Sequence, residues 1–95
     1  MNKYELTVIV RNREAETHKE KVKEILQKNG VSITLEDHWG IKKLAYEIDR
    51  EREAFYMFMN IEADPSVIDK VKKEFGLYAD ILRHLFVKLP EAKTA

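Results

Sequence analysis

Apolar residues in this chain recur with one period and then another. The period is two over residues 4–10, helical over 15–29, two again in successive runs at 31–48 and 54–62, helical over 65–76, and two over 79–89. A strand shows alternate residues to opposite faces and a helix gathers them into one stripe. That succession therefore predicts strand, helix, strand, strand, helix, strand. Ninety-five residues make one domain with a single core between two layers.

In the first strand Tyr4, Leu6, Val8 and Val10 share one face, and Glu5, Thr7 and Ile9 the other. Ala15, His18, Val22, Ile25, Leu26 and Asn29 then fall on one helical stripe, with Lys and Glu on the outer face. Either Asn12 or Thr17 with Glu20 supplies its cap, and Asn29-Gly30 supplies a left-handed stop. Residues 49–53 form a charged turn. In the third strand Phe55, Met57, Met59 and Ile61 face the core. Asp64-Pro65 opens a second helix that buries Ile68, Val71 and Phe75 and ends at Gly76. The last strand directs Leu82, His84 and Phe86 inward and Arg83, Leu85 and Val87 outward, because a buried Arg is rarer than a buried His.

The second strand breaks its own rule. Val31, Ile33 and Leu35 put the apolar face on odd numbers; Leu44, Tyr46 and Ile48 put it on even numbers. Period two cannot change parity without an inserted residue, so a bulge is expected within Asp37-His38-Trp39-Gly40.

The predicted fold class is α+β, the ferredoxin-like βαββαβ arrangement: a four-stranded antiparallel sheet with two helices on one face. Residues 1–90 form the domain and 91–95 a loose polar tail. The sheet face opposite the helices carries Ile9, Tyr56, Phe58, Arg83, Leu85 and Val87. Aromatic and aliphatic residues on an uncovered face point to a partner surface, with Tyr56, Phe58, Leu85 and Val87 as protein contacts.

Composition narrows the function. The chain has no cysteine, which excludes disulfide scaffolds and thiolate zinc sites and fits a reducing cytoplasm. No apolar run approaches the roughly 20 residues of a membrane span, and no signal-peptide core is expected at the start. The three histidines fall on three different elements without ligand spacing, the glycines form no phosphate loop, and no nucleophile motif is present. No catalytic residue, metal ligand or cofactor is expected. Basic residues gather on strands and strand ends: Lys3, Lys42, Lys43, Arg50, Arg52, Arg83 and Lys88. They read equally as nucleic-acid contacts or as strand-edge charges that block aggregation. The topology is that of RNA-recognition motifs, but Arg52-Glu53-Ala54-Phe55-Tyr56 lacks the glycine of their third-strand signature. The formal net charge is zero, which counts against a nucleic-acid binder acting alone; one that shares its RNA site with a more basic partner escapes that objection.

Tyr4-Glu5-Leu6, Trp39-Gly40, Lys42-Lys43-Leu44-Ala45-Tyr46-Glu47-Ile48, Phe55-Tyr56, Ile81-Leu82-Arg83-His84 and Val87-Lys88 together resemble the bacterial ribosomal small-subunit protein six family. The resemblance spans nearly the whole chain. It implies a structural, non-enzymatic protein of the cytoplasmic ribosome. It further implies binding to the central domain of small-subunit rRNA as a heterodimer with ribosomal protein S18, a small basic protein. By position, Lys3, Lys42, Lys43, Arg83 and Lys88 would meet phosphates or sugars. The competing expectation is a ferredoxin-like regulatory or oligomerisation domain that pairs through its open sheet face.

Overall fold

The computed structural model describes residues 2–48 and 50–90. The expected tail at 91–95 lies outside them. The elements are β1 (Asn2–Arg11), α1 (Ala15–Lys28), β2 (Ser32–Ile48), β3 (Glu51–Ala63), α2 (Pro65–Leu77) and β4 (Ile81–Lys88). The strands form one antiparallel sheet in the order β2-β3-β1-β4, the ferredoxin-like topology that the periodicity predicts. Both helices lie on one face. Leu6, Val8 and Val10 of β1, Met57, Met59 and Ile61 of β3, Val22 and Leu26 of α1, and Val71 and Phe75 of α2 form a single buried cluster. Removing this apolar surface from water is what holds the two layers together.

Local chemistry sets the helix ends. Asp64 accepts a hydrogen bond from the Ser66 N–H at 2.9 Å, with Pro65 at the first helical turn. At the end of α1, Gly30 takes φ +76°, and the Val31 N–H returns to the Leu26 carbonyl at 3.0 Å. Asn29 donates to the Ile25 carbonyl at 2.8 Å and to Glu74 at 2.7 Å, tying α1 to α2. Two expectations fail here. α1 starts too far downstream for Asn12 to reach its free N–H groups, and neither Asn12 nor Thr17 caps it. Glu14 occupies the cap position in left-handed backbone, φ 59°, without a side-chain bond. Gly76 does not end α2, which runs to Leu77. The chain leaves through Tyr78 in extended backbone and so needs no left-handed residue.

Lys19 also departs from the expected outer face. It is buried, with its ammonium 2.6 Å from Glu16 and 4.8 Å above the centre of the Phe55 ring. Its stem covers apolar surface while the charge keeps partners.

Three register breaks shape β2. The expected bulge is present: His38 pairs with Met57 and Gly40 with Tyr56, which leaves Trp39 as the extra residue. A second break at Thr34 was not expected. Ile33 pairs with Ile61 and Leu35 with Asn60, so Leu35 lies on the open face instead of in the core. The third is wider. Lys43 pairs with Glu53 and Ile48 with Glu51, so Leu44, Ala45, Tyr46 and Glu47 stand opposite Arg52 alone. The run ending at Ile48 is thus no half-buried strand of period two. β3 begins at Glu51, inside the charged segment read as a turn; Asp49 itself lies outside the described residues. In β4 a slip pairs Ile9 with Arg83 but Val10 with Ile81. Ile81 therefore fills the core position assigned to Leu82, while His84 and Phe86 point inward as expected.

Candidate nucleic-acid and partner interface

Cross-strand register assembles the face that the helices leave open. One row across the sheet is Gly40, Tyr56, Ile9 and Arg83; the next is Asp37, Phe58, Thr7 and Leu85; a third is Leu35, Asn60, Glu5 and Val87. The residues named from the sequence as partner contacts, Tyr56, Phe58, Leu85 and Val87, share this face. Leu85 is 60% exposed, and Tyr56 and Phe58 are half-buried. Leu85 also lines a concavity of about 290 Å³ with Thr7, Ile9, Arg83 and His84, which has room for an apolar side chain of another molecule.

Trp39 belongs to this face as well, although the sequence reading put it only at a kink. The bulge turns its indole onto Phe58, with ring centroids 5.5 Å apart and planes 4° from parallel. Its Nε1–H donates to Asp37 at 3.0 Å, and the Lys42 ammonium lies 5.3 Å from the ring centre. Trp39 remains 47% exposed. Tyr46 was also missed. The wide bulge carries it across the open face to Arg83, whose guanidinium lies 5.1 Å from the centre of the phenol ring. Tyr4, from the same set of motifs, is buried in the core instead. The parity change was a visible signal for Trp39; the wide bulge left no periodic trace of Tyr46.

The five candidate cations do not form one patch. Lys42 and Arg83 flank one end of the open face. Lys43 follows Lys42 and by register points to the helix side, where it lines a concavity with Leu44, Glu47, Arg52 and Glu53. Lys3 and Lys88 sit at the other end, where the Leu89 N–H donates to the Lys3 carbonyl at 2.9 Å. Lys3 pairs with Glu62 and Lys42 with Ala54, so eight residues of β3, about 26 Å, separate the two ends. Among the described residues, none of the five makes an ion pair. Arg52 does, at 3.8 Å from Glu47.

Other charges are neutralised within the fold. Lys23 reaches Glu36 at 3.0 Å, and His38 reaches the same carboxylate at 2.6 Å. Desolvation raises the pKa of Glu36, but these two hydrogen bonds outweigh it and hold the carboxyl below its usual value. The same bond to Glu36 raises the pKa of Lys23. This network lies between α1 and β2, on the helix side. Among the described residues no three histidine, cysteine or acidic side chains converge as metal ligands, and no helix is long and apolar enough to cross a membrane.

Comparison with known proteins yields three kinds of match. A family model described as ribosomal protein S6 matches residues 3–88. The small ribosomal subunit protein bS6 of Bacteroides thetaiotaomicron is 39% identical over 93 residues, covering 94% of this chain and 82% of that protein. The Bacteroides fragilis protein of the same name is 37% identical over the same shares. In structure, 30S ribosomal protein S6 from Thermotoga maritima superposes with a TM-score of 0.83 at 22% identity, covering 93% of this chain and 87% of that one. The C-terminal domain of the MgtC protein from Mycobacterium tuberculosis has a TM-score of 0.62 at 9% identity, covering 100% and 95%. At such identities the two structures bear on fold alone.

Proposed function

Because the chain belongs to the ribosomal protein S6 family of the small ribosomal subunit, we propose that it binds the central domain of small-subunit rRNA jointly with ribosomal protein S18. The role is structural. The open sheet face takes the protein partner through Tyr56, Phe58, Leu85 and Val87, and the basic margins take RNA phosphates or sugars through Lys3, Lys42, Lys43, Arg83 and Lys88. One observation carries the reading. A half-exposed apolar face bears cations at its ends that make no ion pair among the described residues. A chain with zero net charge has little long-range attraction for RNA, and a basic partner supplies it.

The mechanism follows from rigidity and charge. The contacts lie on strands of one sheet, so little ordering entropy is lost on binding. Phosphate contacts position the protein and carry little sequence information. Specificity then rests on RNA shape and on the joint surface with the partner. The test is the double variant Lys42→Ala/Lys43→Ala in the complex with S18 and a central-domain transcript. It should fold normally, bind more weakly and lose about 1.5 from the log–log salt slope. Wild-type affinity and slope would remove both lysines from the site.

A further inference from the structure

We propose that Trp39 and Tyr46 are positioning residues that hold Lys42 and Arg83 ready for phosphate at the two margins of the open face. The inference rests on the RNA-binding reading above and adds to it the side chains that aim the cations. Lys42 and Arg83 each lie over an aromatic ring, at 5.3 Å and 5.1 Å, and among the described residues neither has a carboxylate partner. The difference matters chemically. A carboxylate would orient a cation and cancel its charge. A ring quadrupole orients it and leaves the full charge for an incoming anion. A long basic side chain held in this way loses less rotamer freedom when the phosphate arrives.

The rings are themselves fixed. Trp39 is the extra residue of the bulge, stacked on Phe58 and tied through its N–H to Asp37 at 3.0 Å. Tyr46 is delivered by the wide bulge opposite Arg52, from one edge strand of the sheet to a residue of the other. Lys42 and Arg83 belong to the two outermost strands, which run about 14 Å apart at three strand spacings. Trp39 already holds Phe58 and Lys42 against its ring, which suits it to aiming a cation rather than stacking a base. Two of the three irregularities of β2, the bulge at Trp39 and the wide bulge opposite Arg52, thereby acquire a purpose that regular pairing would not serve.

A double-mutant cycle separates this role from the alternatives. Affinity for a central-domain rRNA transcript, with S18 present, is measured over a salt series for the wild type, Trp39→Leu, Lys42→Ala and the pair. Trp39→Leu should weaken binding roughly two- to five-fold, the range of an exposed cation–π contact. In the Lys42→Ala background it should cost nothing further. Tyr46→Leu should behave likewise towards Arg83→Ala, and Tyr46→Phe, which keeps the ring, should restore wild-type affinity. Wild-type affinity for both Leu variants, or the same loss with the cation already removed, overturns the inference while leaving the RNA reading intact. Salt-independent binding by the wild type overturns the RNA reading and this inference together.

Discussion

The imidazole of His84 meets the ring of Phe75 edge-on, with centroids 5.4 Å apart, and the ring of Phe86 edge-on at 6.0 Å, the two phenyl rings being 6.1 Å from each other. Burial in this apolar setting, helped by the nearby Lys72 ammonium, lowers the pKa of His84 from its ordinary 6.5. The unfolded chain therefore binds the proton more readily than the folded one. This part of the stability is complete above pH 6.5, falls as pH drops through the unfolded value, and stops changing below the folded one. Urea midpoints should decline between neutral and mildly acid pH for the wild type. The decline should be smaller in His84→Gln; an equal decline in both would remove His84 as its source.

Leu6 and Leu85 test the two sides of the sheet with the same side chain. Leu6 is fully buried and Leu85 is 60% exposed. Leu6→Ala should cost about 2–5 kcal/mol of stability. Leu85→Ala should cost less than about 0.5 kcal/mol yet weaken the complex with S18. Denaturant titration and a pull-down measure the two effects, and equal destabilisation would refute the assignment of faces.

Asp64 closes the start of α2 through the Ser66 N–H, and that bond holds its carboxyl below the usual pKa. Asp64→Ala should lower the midpoint of chemical denaturation, while Asp64→Asn, which keeps an acceptor, should recover most of the loss. RNA affinity should not change in either variant.

Phe58 supports Trp39 and lies on the open face, so Phe58→Glu places a charge where the partner is proposed to sit. It should disrupt heterodimer formation more than folding. A variant that unfolds but whose folded fraction still pairs with S18 would contradict that.

Much of the fold was legible because every element except β2 keeps a largely regular apolar period, and because Asn29-Gly30 and Asp64-Pro65 mark helix ends by stereochemistry alone. The site was less legible, for physical reasons. One inserted residue reverses parity and shows; the break at Thr34 was masked because Leu35 is as apolar as a core residue. The slip at β4 left no mark, since Ile81 and Leu82 serve equally well inward. Cations can be counted in a sequence, but their grouping depends on which strands neighbour each other. That is why Lys42 and Arg83, forty-one positions apart, flank one end while Lys3 lies at the other. Lys19 looked like solvent-facing charge because a ring contact from α1 to Phe55 of β3 has no local signature.

Joint recognition of RNA by this surface and a basic protein is the proposal on which the rest depends. Its most direct test is the affinity of the chain for a central-domain rRNA transcript, with and without S18, over a salt series. Binding should be weak for the chain alone and strong with S18, with a log–log slope of roughly −2 to −3 if about three phosphates are neutralised. Equal affinity without the partner, or an affinity indifferent to salt, would contradict it.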